Sequence, residues 1–199
     1  RFTWQTSLAR GLMSSMKINE CPADEALAAE FIVHAKHDAE KDTGLLTKRL
    51  SQYLGMIRAM HLWFHGAHNV VRGTSFSGDH ADLFGKIYLQ IQAEIDSAIE
   101  KAVGVTGDEG MACPMHITKT ALQVLSNYPS PPSISSLAMA AVGLEMEKHF
   151  LEMLEVMFRE LDEAGLMTLG LNDYLAALAN SHENNVYLLH QRVKTELEN

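Results

Sequence analysis

The chain has 199 residues, a length typical of one ordinary domain with a sizeable core. Apolar residues make up 47% of it, which excludes disorder as the main state. Asp and Glu outnumber Lys and Arg by 25 to 16, so the formal net charge is −9. That charge disfavours DNA phosphates as a partner and attracts cations. Ten histidines are the unusual feature of the composition.

Neither a membrane nor an oxidising compartment is indicated. The longest plain apolar run, Leu137–Leu144, falls well short of the roughly 18 residues that a membrane span needs. Two cysteines, Cys21 and Cys113, do not make a disulfide framework. We therefore expect a protein without membrane spans in a reducing, cytoplasmic setting.

Residues 1–41 are expected to form a weakly basic arm followed by an extension helix. Three cations, Arg1, Arg10 and Lys17, lie in the arm. Pro22 then precedes acidic residues, which are favourable in the first turn of a helix. This helix is predicted to reach about residue 41 and to break at residues 43–44.

Residues 42–199 are expected to form a second, helical domain. Apolar residues recur at spacings of three and four, which predicts helices. The predicted spans are residues 45–71, 79–104, 115–125, 135–164 and 172–197. Gly165 is the predicted stop of the fourth, and Asn172 is the predicted cap of the last. The connection of roughly 30 residues between the second and third long helices allows the crossover of a ferritin-like four-helix bundle. The predicted fold is thus all-α and ferritin-like, with a short extra helix in the crossover.

Candidate metal ligands lie on the first two of these helices. His61, His65 and His68 follow one another at spacings of four and three, which keeps them on one helix face. On the next helix, Asp96 and Glu100 lie one turn apart. Imidazoles with carboxylates suit iron, although a solvated helix face also explains the two carboxylates.

A di-iron centre inside the bundle is disfavoured. Such a centre needs Glu-x-x-His on two helices. None of the ten histidines has a glutamate three residues before it.

Three segments resemble the Dps family, the miniferritins. The first runs from His68 to His80, with a glycine five residues after the first histidine and the second histidine twelve residues after it. The second is Asp96–Gly104, which is similar to the family's Asp-x-x-x-Glu-Arg segment ending in glycine. The third begins at His182-Glu183 and is similar to the family's His-Glu-Lys-x-x-Trp-Met-Leu. The resemblance covers about residues 45–195.

This resemblance implies a hollow dodecamer with an iron-oxidising centre at each dimer interface. Carried over, His68 and His80 of one subunit face the partner's Asp96 and the partner's Glu100. The implied reaction is oxidation of Fe(II), preferentially by hydrogen peroxide. Ferric iron is then stored inside the shell, which protects against oxidative damage.

One ligand of the family pattern is missing from this sequence. The family has an Asp four residues after the second histidine, and Phe84 stands there. Asp82 or His65 could replace it as a metal ligand, and helix-start electrostatics also explain Asp82. An alternative hypothesis is therefore a structural shell or interaction protein with a degraded centre. A DNA-compacting protein is a weaker alternative, and we expect DNA binding to be weak or absent because the arm has only three cations.

Overall fold

The fold is all-α, as predicted. The computed structural model describes the backbone of residues 22–197 and the side chains of residues 43–194. Within those bounds it contains no strand, and no helix there is long and apolar enough to cross a membrane. The helices are α1 (Pro22–Val70), a π-helix (Gly78–Phe84), α2 (Gly85–Thr106), α3 (Pro114–Leu125), α4 (Ser136–Glu163) and α5 (Leu169–Leu197), with 3-10 turns at Glu109–Ala112 and Pro131–Ser133.

By its internal contacts the chain divides between Lys41 and Asp42. The predicted helix break at Thr43-Gly44 is wrong, because α1 is helical through both residues. A single glycine lowers the stability of a helix by only about 1 kcal/mol, and the neighbouring helical turns can offset that loss. The predicted arm of residues 1–21 lies outside the described residues.

One hydrophobic core joins the four long helices and α3. Helical spacing predicts a stripe of eight residues on α1, and the eighth, His61, is half-buried. The other seven are buried: Leu46, Leu50, Tyr53, Leu54, Ile57, Met60 and Phe64. The stripes of α2, α4 and α5 pack against the same core. Because residues three and four apart share a helix face, each stripe buries one side of its helix and leaves the other exposed.

The ends of α4 and α5 follow from local backbone chemistry. Ser135 caps α4, since its hydroxyl accepts from the Ala138 N–H at 3.2 Å. Gly165 follows α4 with a φ of 70°, as the predicted stop requires. Helix α5 begins at Leu169, and Thr168 accepts from the Leu171 N–H at 3.1 Å, so the predicted cap at residue 172 is wrong.

Helix α3 lies close against α1 at Gly55. A Cβ built on Gly55 would lie 2.6 Å from the Cβ of Thr120, which is shorter than the non-bonded contacts that Cβ atoms make in proteins. The absence of a side chain at residue 55 therefore sets how near α3 approaches. A hydrogen bond holds the connection after α3 against α1, because the Trp63 indole N–H donates to the Pro129 carbonyl at 2.9 Å.

Gly55→Ala should lower the free energy of unfolding by about 1–3 kcal/mol, because α3 must move away from α1 to admit the methyl group. Gly104→Ala is the matched control, since Gly104 lies in α2 with open space around its Cβ position. That control should raise stability by roughly 0.5–1 kcal/mol through the better helix propensity of Ala. Urea denaturation measures both, and equal effects of the two changes would contradict the close approach.

Candidate metal centre

The candidate centre begins with an unusual turn between α1 and α2. Helix α1 ends at Val70, and Gly73 redirects the chain with a φ of 97°. The segment Gly78–Phe84 then forms a π-helix, where the sequence predicted an ordinary α-helix start. Its last bond runs from the Gly85 N–H to the His80 carbonyl. Such π-turns are frequent at functional sites, because they redirect side chains and backbone groups.

His68 and His80 are joined by a reciprocal pair of hydrogen bonds. Nδ1 of His68 donates to the His80 carbonyl at 2.8 Å, and Nδ1 of His80 donates to the His68 carbonyl at 2.8 Å. Their rings stack with centroids 3.9 Å apart and an interplanar angle of 17°. The structure thus brings together these two predicted site residues from the end of α1 and the π-turn.

These bonds fix the chemistry of both imidazoles. A carbonyl oxygen only accepts hydrogen bonds, so Nδ1 of each ring must carry the proton. In the neutral imidazole, Nε2 then keeps its lone pair. A histidine with Nδ1–H bound to a backbone carbonyl and Nε2 available is the arrangement found for metal-ligating histidines.

Gly85 makes room for this pair. A Cβ on Gly85 would lie 2.5 Å from the His80 carbonyl oxygen and 3.3 Å from Nδ1 of His68. Any larger residue would therefore push apart the two groups that share a hydrogen bond. The first residue of α2 is buried for the same reason.

Further aromatic rings extend the pair along α1. The His65 ring lies 6.5 Å from that of His68, and Tyr88 of α2 lies 4.8 Å from His65 and 4.9 Å from His68, centroid to centroid. His61 continues the row, 6.0 Å from His65. His61, His65, His68 and His80 are hereafter called the imidazole row, and Tyr88 packs against it. His65 is its exposed member, and the other rings are half-buried.

His61 has an electrostatic setting of its own. Burial, with the nearby charges of Arg58 and His65, lowers the pKa of His61 below its usual value. The imidazole is consequently neutral at neutral pH. Its buried Nδ1 has no hydrogen-bond partner, the one such side-chain atom within the described part of the chain.

The carboxylates nearest to His80 in sequence have other partners. Asp82 is exposed and pairs with Lys86 at 2.9 Å. Asp79 is buried and receives two bonds from the Arg192 guanidinium, at 2.8 and 3.1 Å. Phe84 is fully buried in the core. The position that the resemblance assigns to a carboxylate therefore faces the bundle interior.

Asp96 and Glu100 are exposed on α2 and lie far along the helix from the imidazoles. At 1.5 Å of rise per residue, they lie about 16 and 22 Å beyond Gly85, which contacts His68. One chain therefore does not bring these carboxylates to the histidines. In the described part of the chain, no group of three or more His, Cys, Asp or Glu side chains is placed to hold one ion.

A second polar cluster lies in the bundle core. Nδ1 of His182 on α5 lies 2.5 Å from Glu147 of α4, and its Nε2 lies 3.0 Å from Glu94 of α2. Asn185 adds a bond of 3.1 Å to Glu147. Both ring nitrogens of His182 are thus used by carboxylates, which suits a charged imidazolium holding three helices together.

Burial alone would lower the pKa of His182, but hydrogen bonds and charge from Glu147 and Glu94 outweigh burial and raise it to about 9. Burial raises the pKa of Glu147 against the opposing effect of His182. The sequence pattern marks His182 only by its resemblance to the Dps family, and neither Glu94 nor Glu147 was predicted. A signal existed, because Glu147 falls on the apolar stripe of α4 between Gly143 and Phe150.

Neither the family models nor the curated proteins match this chain.

The stability of the protein should fall in the alkaline range through His182. Its pKa is raised on folding, so the stabilisation is fully present below about pH 6.5 and is lost as the pH rises through about 9. The loss is on the order of 3 kcal/mol. Chemical denaturation across this range measures it, with His182→Gln as the control that removes the titrating group. An equal alkaline loss in the control would contradict the assignment.

Proposed function

We propose that the chain is the subunit of a Dps-like miniferritin that oxidises Fe(II) at an interface between two copies. The observation that carries this proposal is the reciprocal bonding of His68 and His80 through Nδ1. It leaves two Nε2 lone pairs on one half-buried surface, and imidazole is a good ligand for iron. The resemblance of the same segment to the Dps signature supports this interpretation.

The missing oxygen ligands would come from the second copy. Asp96 and Glu100 lie on the same helix as Gly85, eleven and fifteen residues further on. Because 3.6 residues make a turn, the Cβ directions at residues 85, 96 and 100 lie within about 60° of one another around the axis of α2. A two-fold axis that pairs α2 antiparallel to its copy would bring the partner's Asp96 and the partner's Glu100 to His68 and His80. Such an interface is self-complementary and creates two equal sites.

The reaction needs little from the protein beyond ligands and charge. Two Fe(II) each lose one electron, and these two electrons with two protons from solvent reduce one hydrogen peroxide to two waters as its O–O bond breaks. His68 and His80 bind the substrate iron as neutral ligands, while the carboxylates compensate for the growing positive charge. The net charge of −9 favours cation approach and argues against DNA as a partner.

The finer fold and location belong to the same proposal. Four long helices with α3 inside the connection between α2 and α4 have the order of a ferritin-like bundle. We propose that twelve copies close into a hollow shell that stores ferric iron. The exposed free thiol of Cys113 suits a reducing compartment such as the cytoplasm.

A shell without turnover is the second candidate function, and a specific observation favours it. Phe84 is buried, and Asp79 and Asp82 are bound to Arg192 and Lys86. In the part of the chain that the structure describes, no free carboxylate therefore lies beside the two histidines. His65, the exposed member of the imidazole row, is the remaining candidate for a third ligand on that side.

Kinetics of iron oxidation separate the two candidates. Purified particles given Fe(II) and hydrogen peroxide should oxidise iron faster than buffer and retain the ferric product. His68→Ala should lower the rate about 10- to 100-fold, the usual effect of losing a ligand or its support. His116→Ala is the matched control, because His116 is exposed on α3 and far in sequence from the imidazole row.

Absorbance of the ferric product and gel filtration are read on the same samples. An assembled particle that oxidises iron no faster than buffer would support the inactive shell. Equal activity of His68→Ala and His116→Ala would reject the proposed site even if the particle oxidises iron.

A further inference from the structure

We infer that His61 and His65 form a chelating pair for a divalent transition ion that prefers imidazole, such as Ni²⁺, Cu²⁺ or Zn²⁺. The pair lies within one chain and needs neither His68 nor His80, so it assigns His65 to a site of its own and not to the iron centre. This inference goes beyond the proposed function, because it needs neither a second copy nor oxidation of iron.

The spacing of the two histidines suits chelation. His61 and His65 lie at positions i and i+4 of α1, and their ring centroids are 6.0 Å apart. Two histidines at this spacing on one helix face can bind a single ion, as in the zinc motif with histidines four apart. The helix is well anchored there, since Phe64 is fully buried in the core between them.

An unsatisfied nitrogen gives independent support. His61 Nδ1 is buried and has no hydrogen-bond partner, whereas His182, the fully buried histidine, uses both ring nitrogens. Buried polar atoms without a partner are rare in folded proteins and call for an explanation such as an ion. A cation bound by Nδ1 of His61, with the His65 ring as its second ligand, supplies that explanation.

The neighbours define what the pair can bind. The Tyr88 ring lies 6.3 Å from His61 and 4.8 Å from His65, which leaves the exposed side of His65 open to solvent. Arg58 is one turn before His61 and its charge weakens cation binding. No third His, Cys, Asp or Glu among the described residues completes the site, so water fills the other coordination positions. Ions that accept two imidazoles and water fit this description.

The test is a Ni²⁺ titration of the full chain, stripped of metal with a chelator, at neutral pH. Calorimetry gives the affinity, and thermal unfolding gives the stabilisation that binding to the folded state must produce. His65→Ala is the main variant, because His65 is exposed and its removal leaves the core intact. His61→Gln keeps the size of the half-buried side chain. His116→Ala is the matched control, and His68→Ala shows whether the ion binds at the proposed iron site instead.

Binding to the wild type should be about tenfold or more tighter than binding to His65→Ala or His61→Gln, since each variant keeps one of two linked ligands. His116→Ala should retain the wild-type affinity and the Ni²⁺-dependent rise in Tm, and His68→Ala should lose less affinity than His65→Ala or His61→Gln. Unchanged affinity in His65→Ala would overturn the inference. So would an equal loss in His68→Ala, which would assign the ion to the proposed iron site instead. Ni²⁺ is not oxidised here, so the result is independent of iron turnover.

Discussion

The reciprocal hydrogen bonding of His68 and His80 is the interaction on which the candidate centre depends. It joins the last turn of α1 to the π-turn before α2 and holds the two rings 3.9 Å apart. In the π-turn, the His80 carbonyl accepts a hydrogen bond from the Gly85 N–H. Because Gly85 has no side chain, Nδ1 of His68 can reach the same carbonyl. With Nδ1 of both rings engaged, Nε2 is the atom left for a ligand.

His182 and the imidazole row differ in their partners. His182 is buried and has a carboxylate at each ring nitrogen, so it acts as a charged tie between α2, α4 and α5. Among the described residues, no carboxylate pairs with the imidazole row, and its members are half-buried or exposed. The core cluster therefore serves stability, and the proposed ligand chemistry rests on the row. In an acidic protein, imidazoles without carboxylate partners suit metal cations.

Much of the helical fold could be predicted from the sequence, because apolar spacing of three and four is a local property. The stripe of α1 and the stop at Gly165 are examples. The π-turn could not be predicted, since it depends on His68 and Gly85 meeting across two helices. The core cluster of Glu94, Glu147 and His182 likewise joins residues far apart in sequence. Of the predicted site residues, His68 and His80 meet within one chain, whereas Asp96 and Glu100 lie exposed and far from them along α2.

Complementation between two inactive variants tests the central claim most directly. One variant carries His68→Ala and His80→Ala, and the other carries Asp96→Ala and Glu100→Ala. If each site is shared between two chains, a mixed dimer contains one complete site and one empty site. Co-expressed in equal amounts, the variants should regain about a quarter of the wild-type rate of peroxide-dependent iron oxidation, given random pairing around a two-fold axis. A co-expressed particle as inactive as either variant alone would contradict the shared site.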